Sequence, residues 1–399
     1  MTVARALVAA VTGTNGKTSV VGFTRQLLAA GGVPAASLSS VGLTTPLRHE
    51  ADPVLAPGAA ELRELATDVQ ADGARVLVLE AHSRALARGA LDALEVDVAA
   101  GTNLSPDHLD VHGDMAAYEA AKRRLFTERL RGDGVAVLDL AEPVGRRLSQ
   151  VCADRGVGVV TLDGQGAVFG GQGVSLGRQG GVGEVPLGAA AAEVPAAFAA
   201  VPFLLRNVWL ALAVSGTILV RLGHAQHLDE AVGALVPFLP GLALPPGRYQ
   251  RVARGDGVEV VVDHAHGPGA LTAVLAAARA EASGRVLLVL GCGGERDRTK
   301  RASMGRIAAE GADAVLVTDD NPRGEDPATI RAAVLDGARR APGAALVEEV
   351  ADRRTAIARA IALAGQGDLV VVAGRGDERE QHLVDGLRVP LDDRVVAQE

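Results

Sequence analysis

Short apolar runs recur along this chain, each closed by a polar or glycine-rich turn and followed by residues at helical spacing. Leu7 to Val11 is the first such run, and with no polar position inside it, it reads as a strand buried on both faces. Thr12-Gly-Thr-Asn-Gly-Lys-Thr18 breaks it, after which Val20, Val21, Phe23, Leu27 and Leu28 return with helical spacing. The pattern continues with a helical stretch near 58–71, strands at Arg75–Glu80 and Val96–Ala100, and a helix from Met115 to Leu130. Residues 131–200 read as short strands and exposed loops around a glycine-rich stretch, Gly164 to Gly188, and an apolar helix opens at Asn207. Pro237, Pro240, Pro245, Pro246 and Gly247 form the best linker and place a boundary between domains of residues 1–244 and 245–399. Beyond it come strands at Val258–Val262, Arg285–Leu290, Ala314–Val317 and Leu369–Ala373, each ending in a cluster of Gly, Asp and Arg. Strands that alternate with helices predict an α/β fold with mostly parallel sheets.

The 399 residues allow more than one core, and the 48% hydrophobic content with only 2% aromatics points to close packing of small side chains. A net charge of −8 disfavours nucleic acid or an anionic membrane as the main partner. Cys152 and Cys292 provide neither a disulfide framework nor a four-ligand zinc site. No secretory signal and no run of 18 uninterrupted apolar residues is read, so a reducing cytoplasm is the expected compartment.

The chemistry concentrates at strand ends, where ligands bind in doubly wound sheets. A strand, a glycine loop and a helix in succession present backbone N–H groups and a helix N-terminus to phosphate. The loop Gly13, Thr14, Asn15, Gly16, Lys17, Thr18, Ser19 lacks the first glycine of the strict phosphate-loop pattern, because Val11 stands there. Its place between strand and helix still favours a nucleoside triphosphate over an ordinary turn. Lys17 would reach the outer phosphates and Thr18 would take a Mg²⁺. The predicted architecture is thus a central P-loop ATPase domain followed by a Rossmann-like α/β domain. Glu80 ends its strand facing the nucleotide region, as an acidic Mg²⁺ ligand does. Residues 102–114 crowd Asn103, Asp107, His108, Asp110 and His112 into one loop, which favours a site over structural histidines. Lys122 sits on the apolar stripe of Tyr118, Leu125, Phe126 and Leu130. It either snorkels or is an amine made reactive by burial. Arginines in the later loops suit a carboxylate-bearing ligand.

As a set, these motifs resemble the Mur ligase family, most of all its diaminopimelate-adding members. The resemblance is carried by Gly13-Thr-Asn-Gly-Lys-Thr18, Thr102-Asn-Leu-Ser-Pro-Asp-His-Leu-Asp-Val-His-Gly-Asp114, Tyr118-Glu-Ala-Ala-Lys122, Gly291-Cys-Gly-Gly-Glu-Arg-Asp297 and Asp319-Asp-Asn-Pro-Arg323. It implies a ligase that phosphorylates a carboxylate with ATP and lets an amino acid's amine attack the acyl phosphate. It further implies two Mg²⁺ ions, one on Thr18 and Glu80, the other on His108 and a CO₂-derived carbamate on Lys122. Asn207 matches the adenine contact, and Arg248, Asp263 and His266 match residues that close over ATP about a 240–247 hinge. Thr44, Thr45 and Ser83 would hold the carboxylate. Arg296, Asn321, Arg323, Gly374 and Glu378 match the amino-acid pocket, with Glu378 pairing an ammonium and Arg296 a carboxylate.

Departures from the family pattern bear on the acceptor. Only Met1–Ala6 precede the first strand, whereas peptidoglycan-building members begin with a domain that grips the UDP-sugar. The acceptor segment Glu-x-Ser-Ser-His-Gly-Leu is Glu80-Ala-His-Ser-Arg-Ala-Leu86, and Ala90 replaces an arginine. Tyr-Ala-His-Thr-Pro-Asp has become His264-Ala-His-Gly-Pro-Gly269, and Gly-Lys-Gly-His-Glu has become Gly374-Arg-Gly-Asp-Glu378. The expected acceptor is therefore a non-UDP small-molecule or carrier-borne acid. Alternatives are an intramolecular lactam-forming cyclase, or an activating subunit for a partner amidotransferase, although such relatives carry a four-cysteine zinc ribbon. The expected partners are substrates alone, and the expected state is monomer or homodimer.

Overall fold

The computed structural model describes residues 5–51, 57–162, 169–170, 190–254, 257–343 and 346–399. They form two compact units: Met1–Leu104 with Val111–Ala243, and Ser105–Asp110 with Leu244–Glu399.

The first unit is built on a nine-stranded sheet. Its strands are β1 (Leu7–Thr12), β2 (Ala35–Ser39), β3 (Gly42–Thr44), β4 (His49–Glu50), β5 (Val76–Glu80), β6 (Val96–Gly101), β7 (Leu130–Asp139), β8 (Gly158–Leu162) and β9 (Phe169–Gly170). They lie in the order β4-β3-β2-β5-β1-β6-β7-β8-β9. Strand β1 is fully buried between β5 and β6, and both run parallel to it. The register sets Val11 beside Glu80 and Thr12 beside Gly101, so three chain segments that leave the sheet together meet beyond its carboxyl end. Leu77, Leu79, Ala99, Leu125, Phe126 and Leu138 are part of the core on one face. The 20-residue helix Pro202–Arg221 is long and apolar enough to cross a membrane, but 78% of its most apolar stretch is buried inside the protein, as in a core helix.

Two expectations change here. The helix after the histidine-rich loop ends sooner than Leu130: it spans Met115–Arg124, a wide π-type turn follows over Leu125–Arg129, and Leu130 already opens β7. The wide turn keeps Leu125, Phe126 and Leu130 buried, so the apolar stripe continues although the helix does not. The apolar helix opens at Pro202 rather than Asn207, with proline at the position where its missing N–H is harmless. Most of the glycine-rich 164–188 lies outside the described residues.

The second unit carries a six-stranded sheet of β10 (Gln250–Val252), β11 (Glu259–Asp263), β12 (Val286–Leu290), β13 (Ala314–Val317), β14 (Leu346–Glu349) and β15 (Leu369–Ala373), in the order β10-β11-β15-β12-β13-β14. The strands β11, β15, β12 and β13 are parallel neighbours, which brings their Gly-, Asp- and Arg-rich ends side by side. Val260, Val262, Leu287, Val289, Leu316, Val370 and Val372 fill the core beneath. A hairpin of β16 (Glu380–His382) and β17 (Arg388–Pro390) and the C-terminal helix Asp393–Gln398 complete it.

Candidate active site

In the first unit the loop after β1 turns on glycines that no other residue could replace. Gly13 and Gly16 have φ of 144° and 86°. A Cβ on Gly13 would lie 1.8 Å from Thr102 Oγ1, and one on Gly16 would lie 2.5 Å from Asn207 Oδ1. The adenine-contact candidate Asn207 is therefore packed against the phosphate-loop candidate. Residues at the end of β6 hold the loop open: Asn103 O accepts from Thr14 N (2.8 Å), Asn103 Oδ1 accepts from Asn15 N (3.0 Å), and Thr102 Oγ1 donates to Asn15 O (2.6 Å). Lys17 Nζ lies over the same loop, donating to Gly13 O at 3.1 Å and Thr14 O at 2.8 Å.

Helix α1 (Lys17–Ala30) aims Thr18 at the end of β5, where its hydroxyl donates to Glu80 Oε1 at 2.8 Å. Ser40 N donates to the same oxygen at 3.0 Å, and Ser40 Oγ is 3.0 Å from Thr18 Oγ1. Glu80 is 7% exposed, so a buried carboxylate and a hydroxyl converge as hard oxygen donors, the kind Mg²⁺ takes beside phosphates and water. Among the described residues no group of three or more His, Cys, Asp or Glu gathers as a metal cluster.

Lys122 is 4% exposed. The snorkelling alternative fails, because Nζ donates to Gly13 O at 2.7 Å and lies 4.5 Å from the centroid of the Tyr118 ring. Its helix thus delivers a second ammonium to the carbonyl that Lys17 also touches. Tyr118 OH is 3.2 Å from Thr14 Oγ1. Of the acceptor candidates, Ser83 Oγ is 3.0 Å from His112 Nε2, Thr44 Oγ1 is 2.9 Å from His49 Nδ1, and Thr45 Oγ1 accepts from the Leu47 and Arg48 amides. His82 Nε2 lies 3.4 Å from Glu80 Oε2.

The second unit holds the remaining candidates. Asp107 is buried, which opposes its ionisation, yet a hydrogen bond and charge from His266, with the charges of His108 and Lys300, hold its carboxyl well below the usual range. The nitrogens lie 3.7 Å (His266 Nε2), 3.6 Å (His108 Nε2) and 3.7 Å (Lys300 Nζ) from Asp107 oxygens. His266 and His264 pack edge to face, 4.8 Å between centroids. Arg248 Nη2 is 3.4 Å from Asp377 Oδ1, and His264 Nδ1 is 3.8 Å from it. The two departures, histidine at 264 and aspartate at 377, thus fall beside each other.

Asp263 ends β11 and accepts from Tyr249 N at 2.6 Å. Burial pushes its carboxyl up to about 6, against the pull of Arg248. Ionisation is therefore disfavoured in the fold: this group's contribution to stability is complete below the ordinary 3.8 and lost as pH rises through about 6. Asp263→Asn should accordingly raise stability in urea at about pH 7.5 by on the order of 2 kcal/mol, with the gain vanishing below about pH 4. Equal urea midpoints for both proteins at the higher pH would count against this environment.

The amino-acid candidates form two adjoining groups. Arg323 has φ of 53°, and its Nη1 donates to Gly294 O at 2.8 Å. Burial and the charge of Arg296 lower its pKa. Two guanidinium groups placed together suit a bound carboxylate. Beside them, Asn321 Nδ2 donates to Glu378 Oε2 at 2.6 Å, and a Cβ on Gly374 would sit 2.9 Å from Asp320 Oδ2. Burial and the neighbouring Asp320 raise the Glu378 pKa. Ser40 and Lys300 escape a reading of the sequence, since a lone hydroxyl or lysine carries no pattern, and Thr102, though it opens one of the motifs, is given no role there.

A glycine loop between strand and helix, a buried lysine on its carbonyl and an acid at the next strand's tip define a nucleotide-using α/β enzyme. The chain belongs to the Mur ligase family and is an ATP-dependent, ADP-forming ligase. Residues 11–214 match the Mur ligase middle domain and 247–376 the Mur ligase glutamate ligase domain. A UDP-N-acetylmuramoyl-L-alanyl-D-glutamate–2,6-diaminopimelate ligase of Caulobacter vibrioides is 38% identical over 97% of this chain and 78% of its own length. The ligase of that name from Xanthomonas campestris is 40% identical over 97% and 75%. A solved structure of a ligase of the same name covers 99% of this chain and 78% of its own, at 31% identity and a TM-score of 0.59. A bifunctional folylpolyglutamate/dihydrofolate synthase solved with Mn, AMPPNP and L-glutamate shares the fold, at 22% identity and a TM-score of 0.61. The relatives' names weigh against the expectation of a non-UDP acceptor.

Proposed function

We propose that this enzyme transfers the γ-phosphoryl of ATP to a carboxylate and joins the acyl phosphate to the amine of an amino acid with a second, distal amino-acid head. 2,6-Diaminopimelate is the candidate. The carboxylate oxygen attacks the γ-phosphorus and ADP leaves; the amine nitrogen then forms the amide bond and inorganic phosphate departs with the acyl oxygen. The observation that carries this reading is the convergence of Lys17 and Lys122 on the Gly13 carbonyl beside the Thr18–Glu80 pair. In it, Lys17 and the loop amides hold the triphosphate, and Lys17 meets the charge that develops in transfer. Thr18 and Glu80 are the residues that would hold a Mg²⁺, whose charge offsets repulsion between carboxylate and phosphate. The fit of hard, buried oxygens supports that assignment. Lys122, once carbamylated, is assigned to a second ion. Arg296 and Arg323 take the distal carboxylate and Glu378 the distal ammonium.

For the acceptor, the relatives' names favour UDP-N-acetylmuramoyl-L-alanyl-D-glutamate. A second reading, an acid without the nucleotide, is favoured by residues 80–90, where His82 stands beside Glu80 and Ala90 replaces an arginine. Phosphate release is measured from ATP with the UDP-muramoyl dipeptide or with short N-acyl-L-alanyl-D-glutamates, each with and without diaminopimelate. Release that needs both an acid and diaminopimelate supports a ligase, and the preferred acid separates the two readings. Release with one organic compound alone would replace ligation with cyclisation or hydrolysis.

A further inference from the structure

The pocket residues Asn321 and Glu378 stand on a buried charged layer that the proposed chemistry does not use. Arg375, fully buried, lies between the pocket residue Gly374 and Gly376, where the family pattern has lysine. Its Nη1 donates to Asn321 Oδ1 at 3.0 Å, and its Nη2 donates to Glu380 O at 3.0 Å and Leu391 O at 2.8 Å. The His382 amide also donates to Asn321 Oδ1, at 2.8 Å. Two donors on that oxygen leave one orientation for the amide, with Nδ2 turned to Glu378 Oε2.

A guanidinium can meet these three acceptors at once because its donors are fixed in a plane; an ammonium on a lysine stem cannot span them. The guanidinium is itself held by the end of the chain. Asp393, on the C-terminal helix, has a wholly buried carboxylate that receives both Nε and Nη2 of the equally buried Arg353 (2.9 and 2.7 Å). The same carboxylate is 3.7 Å from Arg375 Nε. Arg353 Nη2 also donates to Ala373 O at 2.9 Å, tying the layer to the tip of β15. Buried cations without a counter-ion are costly, so the layer stands or falls with Asp393.

We propose that Arg375 is a positioning residue for the amino-acid pocket: it fixes the Asn321 amide, and through it Glu378, and is itself held by Leu391 and Asp393 of the C-terminal strap. The assignment of Asn321 and Glu378 to an incoming ammonium rests on the proposed function; the amide orientation does not. The test compares wild type with Arg375→Lys, Arg375→Met and Asp393→Asn in the full-length enzyme. The expected result is a KM for 2,6-diaminopimelate raised about tenfold or more in Arg375→Met, with the KM for ATP within about twofold of wild type and a partial return in Arg375→Lys. Asp393→Asn should show the same split. Should the methionine or asparagine variant not fold, the lysine variant alone decides, since it keeps the charge and loses the fork. The Asn321 side-chain amide signals are followed by NMR in ligand-free wild type and Arg375→Lys. A shift with faster exchange supports the proposal even if diaminopimelate proves not to be the substrate. Unchanged amide signals, or equal changes in both KM values, would overturn it.

Discussion

Lys122→Ala is expected to cost about 10³-fold in ATP-driven ligation, the loss that follows removal of a group holding charge at the transferring phosphoryl. ATP binding should weaken far less, because Lys17 and the loop amides remain. Lys122 Nζ is buried against the Gly13 carbonyl and the Tyr118 ring, so alanine removes a single ammonium from a place water scarcely reaches. If the amine works as a carbamate, a short carboxylic acid or bicarbonate diffusing into the vacated space should restore part of the rate. Bound as an amine, it would show no such rescue. Full turnover by the alanine variant would remove the carbamate from the account.

Arg323→Ala is the second large effect. Arg323 has a backbone at positive φ and its guanidinium donates to the Gly294 carbonyl with Arg296 close by, and the two cations have no mutual reason to meet. Loss of a charge-assisted contact to a carboxylate should raise the KM for diaminopimelate by about 10–100-fold while leaving that for ATP nearly unchanged. Steady-state kinetics with each substrate varied in turn checks this, and parallel rises in both constants would place Arg323 elsewhere. An amino acid with no distal carboxylate should be nearly blind to the substitution.

Much of this fold is legible along the chain because buried parallel strands are uninterrupted apolar runs. Ala314–Val317 and Leu369–Ala373 have the bounds expected, and Leu7 to Val11 extends by Thr12 alone. What the pattern does not carry is strand order. That β15 lies between β11 and β12 is a tertiary fact, and together with β13 on the far side of β12 it brings Gly374 and Glu378 beside Asn321. The helix end near Leu130 is misjudged because apolar periodicity reports burial rather than hydrogen bonding, and a wide turn leaves burial intact. The phosphate-loop candidates are readable from their glycines and lysine. The roles of Thr102, Ser40 and Arg375 are not, since a hydroxyl or an arginine acquires meaning only from what lies opposite it. Lys122 is the instructive case: its place on an apolar stripe marks it as unusual, and only the carbonyl it meets separates snorkelling from burial.

The wide turn at Leu125–Arg129 has a consequence for the length of the chain there. Each residue in a helix advances its neighbours by about 100° of rotation, so deleting one from that turn would tighten it to ordinary winding and rotate what lies on one side against the other. Either Phe126 would leave the core or the helix would carry Lys122 off the Gly13 carbonyl. A segment without a catalytic candidate of its own should therefore tolerate many changes of side chain and almost none of residue count.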